Sequence, residues 1–138
     1  MYKRPQHKIN PIDLDTDIAT GIGLPMSGVK YGTFNSLYTS KEQIIANLRN
    51  LILTMKGERV MEPEFGTDVY RIIFENVGPG QTIKVLTASI KAAVKRWMPL
   101  LNIVDVTADM DEHLLTIGIS FTVPGYAINE EIKLNIQR

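Results

Sequence analysis

The sequence predicts an α+β domain: an extended N-terminal arm, then two main amphipathic helices plus a short one, packed on a three-stranded antiparallel C-terminal meander. Three observations predict it. Apolar residues recur at helical spacing in two stretches between residues 40 and 98, the period shortens to two beyond residue 101, and residues 1–39 hold neither period. The chain has 138 residues, which suits a single domain. At this size roughly 68–70% of the unfolded chain's surface is buried, so a core forms without disulfides or metal.

Residues 1–39 are punctuated by Pro5, Asn10-Pro11, Gly21-Ile22-Gly23-Leu24-Pro25, Gly28 and Gly32. Such a segment buries no regular face, so it reads as an extended arm with turns and a short strand near Tyr31–Tyr38. An aperiodic arm of this length is expected to lie on its own domain or on a partner. Residues 40–138 are the expected α+β domain.

Ser40-Lys41-Glu42-Gln43 has the pattern of a capping box, which predicts a helix starting at Ser40. Ile44, Ile45, Leu48, Leu51, Ile52 and Met55 share one face, and Gly57 is the expected C-terminal stop. After a loop from Gly57 to Gly66, a short amphipathic run, Asp68 to Glu75, is capped by Thr67 or Asp68. Gly78-Pro79-Gly80 breaks the chain before the second long helix. Its apolar face is Ile83, Leu86, Ile90, Ala93, Val94 and Trp97, and Lys84, Lys91, Lys95 and Arg96 lie elsewhere on it. Pro99 ends it.

Val104, Val106, Ala108 and Met110 then alternate with Asp105, Thr107 and Asp109. Leu115, Ile117, Ile119, Phe121 and Val123 form the apolar parity of a second strand, and Ile128, Ile132, Leu134 and Ile136 that of a third. Asp111-Glu112-His113 and Pro124-Gly125 are the turns. One polar face per strand makes an antiparallel sheet with its apolar side on the helices.

Composition narrows the chemistry. Fifteen Lys and Arg balance fifteen Asp and Glu, which argues against a nucleic-acid or anionic-membrane footprint. The absence of cysteine excludes disulfides, thiol catalysis and Cys-ligated zinc. His7 and His113 are too few for a His-built metal or triad site, and both read as exposed surface residues. No apolar run reaches the roughly 20 residues of a membrane span, and the polar start does not resemble a signal peptide. The expectation is a soluble, intracellularly made protein with no cofactor, no metal and no small-molecule substrate.

Short motifs support this. Asp13-Leu14-Asp15-Thr16-Asp17 begins like a calcium loop, but Ile18 stands where glycine is needed and Leu24 where a bidentate Glu belongs, so it reads as an acidic turn or helix-start cluster. Gly23 to Lys30 has the glycine spacing of a phosphate loop with the lysine one residue late, and Gly21-Ile22-Gly23 lacks the third glycine of a dinucleotide fingerprint. Glu58, Glu62 and Glu64 crowd one loop beside Lys56 and Arg59, a setting that keeps carboxylates ionised rather than making one a proton donor. The cationic face of the second long helix reads as solvated, or as a surface for an acidic protein partner.

The connector Gly57-Glu58-Arg59-Val60-Met61-Glu62-Pro63-Glu64-Phe65-Gly66 is stiffened by proline, bounded by glycines, and anchored through Phe65. From its residues alone, an Arg–Glu pair stapling the loop is a sufficient account. The order of residues nevertheless resembles the lysozyme-like baseplate wedge proteins of contractile-tailed phages, related to type VI secretion baseplate subunits. The resemblance rests on Thr54, Gly57 and Arg59 at the end of an amphipathic helix, then Pro63-Glu64-Phe65-Gly66, then Phe74-Glu75 in a short helix. It covers about residues 35–138 and leaves the arm out.

The resemblance implies a structural, non-enzymatic subunit of the virion tail baseplate, assembled in the host cytoplasm. Arg59, Pro63 and either Glu62 or Glu64, with Phe65 and Gly66, would contact the helical bundle of neighbouring wedge proteins. The sheet would help start sheath assembly, with the first or the last strand edge accepting a sheath strand. Implied partners are wedge, sheath and tube-proximal proteins. A type VI secretion or contractile bacteriocin-like baseplate is the near alternative, and a peptidoglycan hydrolase the distant one.

Overall fold

The computed structural model describes residues 9–23, 35–74, 79–111, 114–126 and 128–137. The element order is a 3-10 turn (Pro11–Leu14), β1 (Gly21–Ile22), β2 (Ser36–Leu37), α1 (Ser40–Leu53), α2 (Val69–Phe74), α3 (Pro79–Trp97), β3 (Asn102–Met110), β4 (Leu114–Val123) and β5 (Ile128–Gln137). The α+β arrangement is as the sequence predicts. β3, β4 and β5 pair antiparallel in that order, and the helices cover one face of the sheet. Leu48, Leu51, Ile52, Leu86, Ile90, Leu115, Ile117, Ile119 and Phe121 are fully buried between the two layers.

The arm lies on its own domain where it is described. β1 and β2 pair antiparallel, Gly21 opposite Leu37, so among the described residues the strand expected near Tyr31–Tyr38 covers Ser36–Leu37, and residues 31–34 lie outside the described set. The Asn10 amide donates to the Ser40 hydroxyl at 2.8 Å, and the Ser40 N–H donates to Asp13 at 2.7 Å. Asp13 is thus the helix-start acid of the cluster that imitates a calcium loop.

This contact shifts the cap by one residue from the sequence expectation. Thr39, not Ser40, is the N-cap of α1, and Glu42, not Gln43, completes the capping box. The arm occupies Ser40 on both its hydroxyl and its N–H, while Gln43 donates to Asn47 at 3.0 Å. α1 also stops at Leu53 rather than running to Gly57, so Met55 leaves the apolar face and is half exposed. The cause lies at Ile52 O and Lys56 N–H, which would pair in a continued helix and are instead both taken by Thr67. The Thr54 hydroxyl donates to Asn50 O at 2.6 Å, and the Thr67 hydroxyl returns from beyond the loop to donate to Ile52 O at 2.8 Å. Thr67 therefore closes α1 instead of capping α2.

Pro79 and Gly80 form the first turn of α3 rather than a break before it. Proline fits a first helical turn because its missing N–H has no helical acceptor there. In β3 the alternation slips. Ile103 opposes Phe121 while Asp105 opposes Ser120, so Val104 is bulged out of register and is 62% exposed. Sequence parity put Val104 on the core face; the inserted residue hands that role to Ile103. β4 and β5 pair without a shift from Val123–Ile128 to Leu114–Gln137. The inward position opposite Phe121 on β5 is Glu130, which the Lys41 ammonium neutralises at 2.5 Å. The Pro124-Gly125 turn is closed by Tyr126 N–H to Val123 O at 3.1 Å, with Gly125 at φ 85°. Of the other turn, Glu112 and His113 lie outside the described residues, as does His7.

A tethered loop between the first two helices

The connector from α1 to α2 is pinned at its neck and projects beyond it. Met55 and Thr67 form an isolated parallel bridge. Thr67 N–H donates to Thr54 O at 2.9 Å, Lys56 N–H to Thr67 O at 3.3 Å and Gly57 N–H to Pro63 O at 2.7 Å. The backbone groups at the loop base are thereby satisfied inside the loop, as a chain leaving a helix requires. The Glu58 carboxylate accepts from Met55 N–H at 2.9 Å, and the Lys56 ammonium pairs with Asp68 at 2.6 Å.

Both bounding glycines have left-handed backbones: Gly57 at φ 90° and Gly66 at φ 108°. They differ in surroundings. A Cβ on Gly57 would meet open space, whereas one on Gly66 would stand 2.3 Å from Thr54 O. Gly66 is where the returning strand passes closest to the end of α1, and side-chain atoms have no room there.

Above the neck the side chains interlock. The Arg59 guanidinium lies 3.8 Å from the Phe65 ring centroid. Phe65 meets Trp97 of α3 edge-on, with centroids 5.3 Å apart and planes at 64°. Arg96 lies 5.2 Å from the Trp97 ring and pairs with Glu64. Arg59, Phe65, Trp97, Arg96 and Glu64 thus close a cycle from the loop to α3 and back. Edge-on aromatic pairs contribute about 0.5–1.5 kcal/mol beyond burial, and an exposed cation–π contact about 0.5–1 kcal/mol.

Phe65 is the anchor the sequence indicates, half-buried against the core. The ion pair that staples the loop, however, joins Glu64 to Arg96, thirty-two residues away, while Arg59 stacks on Phe65. Arg59, Glu62, Pro63 and Glu64 are exposed, and Gly66 is buried. Val60 and Met61 were not singled out from the sequence, yet they are the loop's most exposed apolar side chains at 92% and 91%. An apolar pair within a charged loop gives no local sign of which way it points; only the neck geometry turns it outward.

The class that emerges is a small α+β domain whose helices cover one face of a meander and whose α1–α2 loop is preformed and projecting. Within that class the chain belongs to the family of baseplate wedge protein gp25, whose pattern it matches over residues 39–125. It is 33% identical over 93 residues to baseplate wedge protein gp25 of Enterobacteria phage T4, covering 65% of this chain and 70% of that one. A candidate tail lysozyme of Geobacter sulfurreducens has a similar structure, with a TM-score of 0.65 and 26% identity over 73% of this chain and 93% of its own. A chain of the anti-feeding prophage baseplate shares the fold at a TM-score of 0.56 and 18% identity, over 83% of this chain and 82% of that one.

Proposed function

We propose that this protein is a structural, non-enzymatic subunit of a contractile-tail baseplate wedge, in which residues 40–138 form the wedge domain and residues 1–39 its arm. It sits in the tail baseplate of a virion assembled in the host cytoplasm, or in the equivalent position of a type VI secretion or bacteriocin-like particle. The α1–α2 loop docks on the helical bundle of neighbouring wedge proteins, and the sheet links that bundle to the first sheath ring near the tube. The observation that carries this is the loop's construction. Its neck is closed by its own hydrogen bonds, and its tip holds Arg59, Val60, Met61, Glu62 and Pro63 out to solvent. A loop ordered before binding loses little entropy on docking.

The geometry favours Glu62 over Glu64 as the docking carboxylate, because Glu64 is taken by Arg96 while no ion pair engages Glu62 among the described residues. It favours β5 over β3 as the edge that accepts a sheath strand. β5 runs ten residues without a bulge, whereas the β3 edge is interrupted at Val104. The name of the Geobacter relative favours cell-wall hydrolysis as a second reading. Against it, two of the loop's three glutamates have structural duties, Glu58 to Met55 N–H and Glu64 to Arg96.

Tagged co-purification with the native particle's components tests the proposal, in parallel with Arg59→Glu. Wedge proteins should be recovered with the normal chain and lost with the variant, whose fold should persist because Arg59 is exposed. Wild-type recovery by the folded variant, or lysis of peptidoglycan by the purified chain, would overturn it.

A further inference from the structure

The cations of α3 have no role in the loop-docking scheme apart from Arg96. The chain as a whole is neutral, yet the nineteen residues of α3 carry Lys84, Lys91, Lys95 and Arg96 and no acid. At 100° per residue, Lys84, Lys91 and Lys95 fall in one row along the helix, since steps of seven and eleven residues return to nearly the same direction. All three are exposed, and none has an ion-pair partner among the described residues.

Beside that row runs a seam of small apolar side chains, Val85, Ala88 and Ala92, also exposed. On the far side of the seam, Arg71 and the Lys56–Asp68 pair line a groove of about 410 Å³ whose floor is Val85, Ala88 and Ala92, and the lysine row stands outside that lining. A second concavity toward the start of α3 shares Val85 and Ala88, so the depression follows the helix from Gly80 to Trp97.

We infer that this groove receives an acidic amphipathic helix from a neighbouring subunit, lying along α3 with its small apolar ridge on Val85, Ala88 and Ala92 and its carboxylates against Lys84, Lys91 and Lys95. This rests on the chain being an assembly subunit and adds a second contact to the one made by the loop. Small side chains between larger walls form the groove into which another helix's ridge packs. The lysine row, unbalanced by any acid of α3, sets the partner's charge. A nucleic acid would use the cations but not the apolar seam of Val85, Ala88 and Ala92, and Trp97 at the end of the groove is already engaged by Phe65 and Arg96.

The test is photo-crosslinking in assembled particles, with benzoylphenylalanine placed in separate variants at Ala92 in the groove and at Met61 on the loop tip. The expected result is an Ala92 adduct to a helical segment of another subunit bearing acids at four- and seven-residue spacing. Its yield should fall at least tenfold with Lys84→Glu, Lys91→Glu and Lys95→Glu combined, and persist with arginine at the same positions. Raised salt should lower the yield too, because the charge pairs are exposed. A thermal melt confirms that the charge variant is folded. A Met61 adduct without one from Ala92, or an Ala92 adduct to a strand or to nucleic acid, overturns this inference and leaves loop docking standing. Absence of adducts at both positions overturns both.

Discussion

Replacing Gly66 with alanine should unfasten the loop from α1, and its cost follows from three contributions. The left-handed backbone at φ 108° is costly for any residue with a Cβ, by about 1–2 kcal/mol. The new methyl would meet Thr54 O at 2.3 Å, so the neck must open. Opening it strains the Thr67 N–H bond to Thr54 O and the Thr67 hydroxyl bond to Ile52 O, 2.9 and 2.8 Å long, each contributing about 1 kcal/mol. The expected loss is about 3–4 kcal/mol. An unfolding entropy of about 2.1 cal/mol/K per residue makes each kcal/mol worth roughly 3–4 °C in a chain of 138 residues. Differential scanning calorimetry should therefore show Gly66→Ala melting roughly 10–14 °C below the parent. Gly57→Ala is the matched control, because it has the same handedness of backbone and open space around its Cβ. It should lose only about 1–2 kcal/mol, or roughly 3–7 °C. Equal melting temperatures for the two variants would show that the close approach to Thr54 is not what Gly66 provides, and the account of the neck would be wrong.

Other substitutions probe separate parts of the structure. Thr39→Ala should cost about 1 kcal/mol through loss of the cap, read as a fall in the chemical-denaturation midpoint with unchanged slope. Phe121→Ala removes the largest fully buried side chain among the described residues, at 0% exposure, and should cost about 3–5 kcal/mol, measured by the same titration. Glu130→Gln breaks only the partly exposed pair with Lys41 and should change stability by about 1 kcal/mol or less, with the effect shrinking at high salt.

Much of this architecture is legible in the residues. The strands announce themselves by strict alternation from Leu115 to Val123, and both long helices by their apolar faces, because those patterns are dictated by burial alone. The differences arise where distant segments compete for the same groups. Ser40 has the chemistry of a cap, but Asn10 and Asp13 reach it first, so Thr39 takes the position. Gly57 has the chemistry of a helix stop, but Thr67 closes the helix four residues earlier. The bulge at Val104 leaves no mark in a sequence whose alternation reads through it. In the loop, Phe65 is recognisable as an anchor because a large aromatic in a charged connector needs somewhere to go. Its partners Trp97 and Arg96 lie on another helix, and nothing local connects them. The motif order that marks the family is visible only as a pattern, since each residue alone has an ordinary explanation.

The closed neck also decides how the domain would carry a mechanical load. A force applied at Met61 does not peel the connector away residue by residue, because the two limbs are bridged at Gly57–Pro63 and again at Thr54–Thr67. Tension on either limb passes into the carboxyl end of α1 through Thr67. A second path runs from Phe65 to Trp97 and from Glu64 to Arg96, both on α3. The pull is thus divided between two helices that are themselves packed on the sheet, and the neck bonds are sheared together rather than broken in turn. A lever arm of a few residues, rigid at its root, transmits displacement to the body of the domain instead of absorbing it.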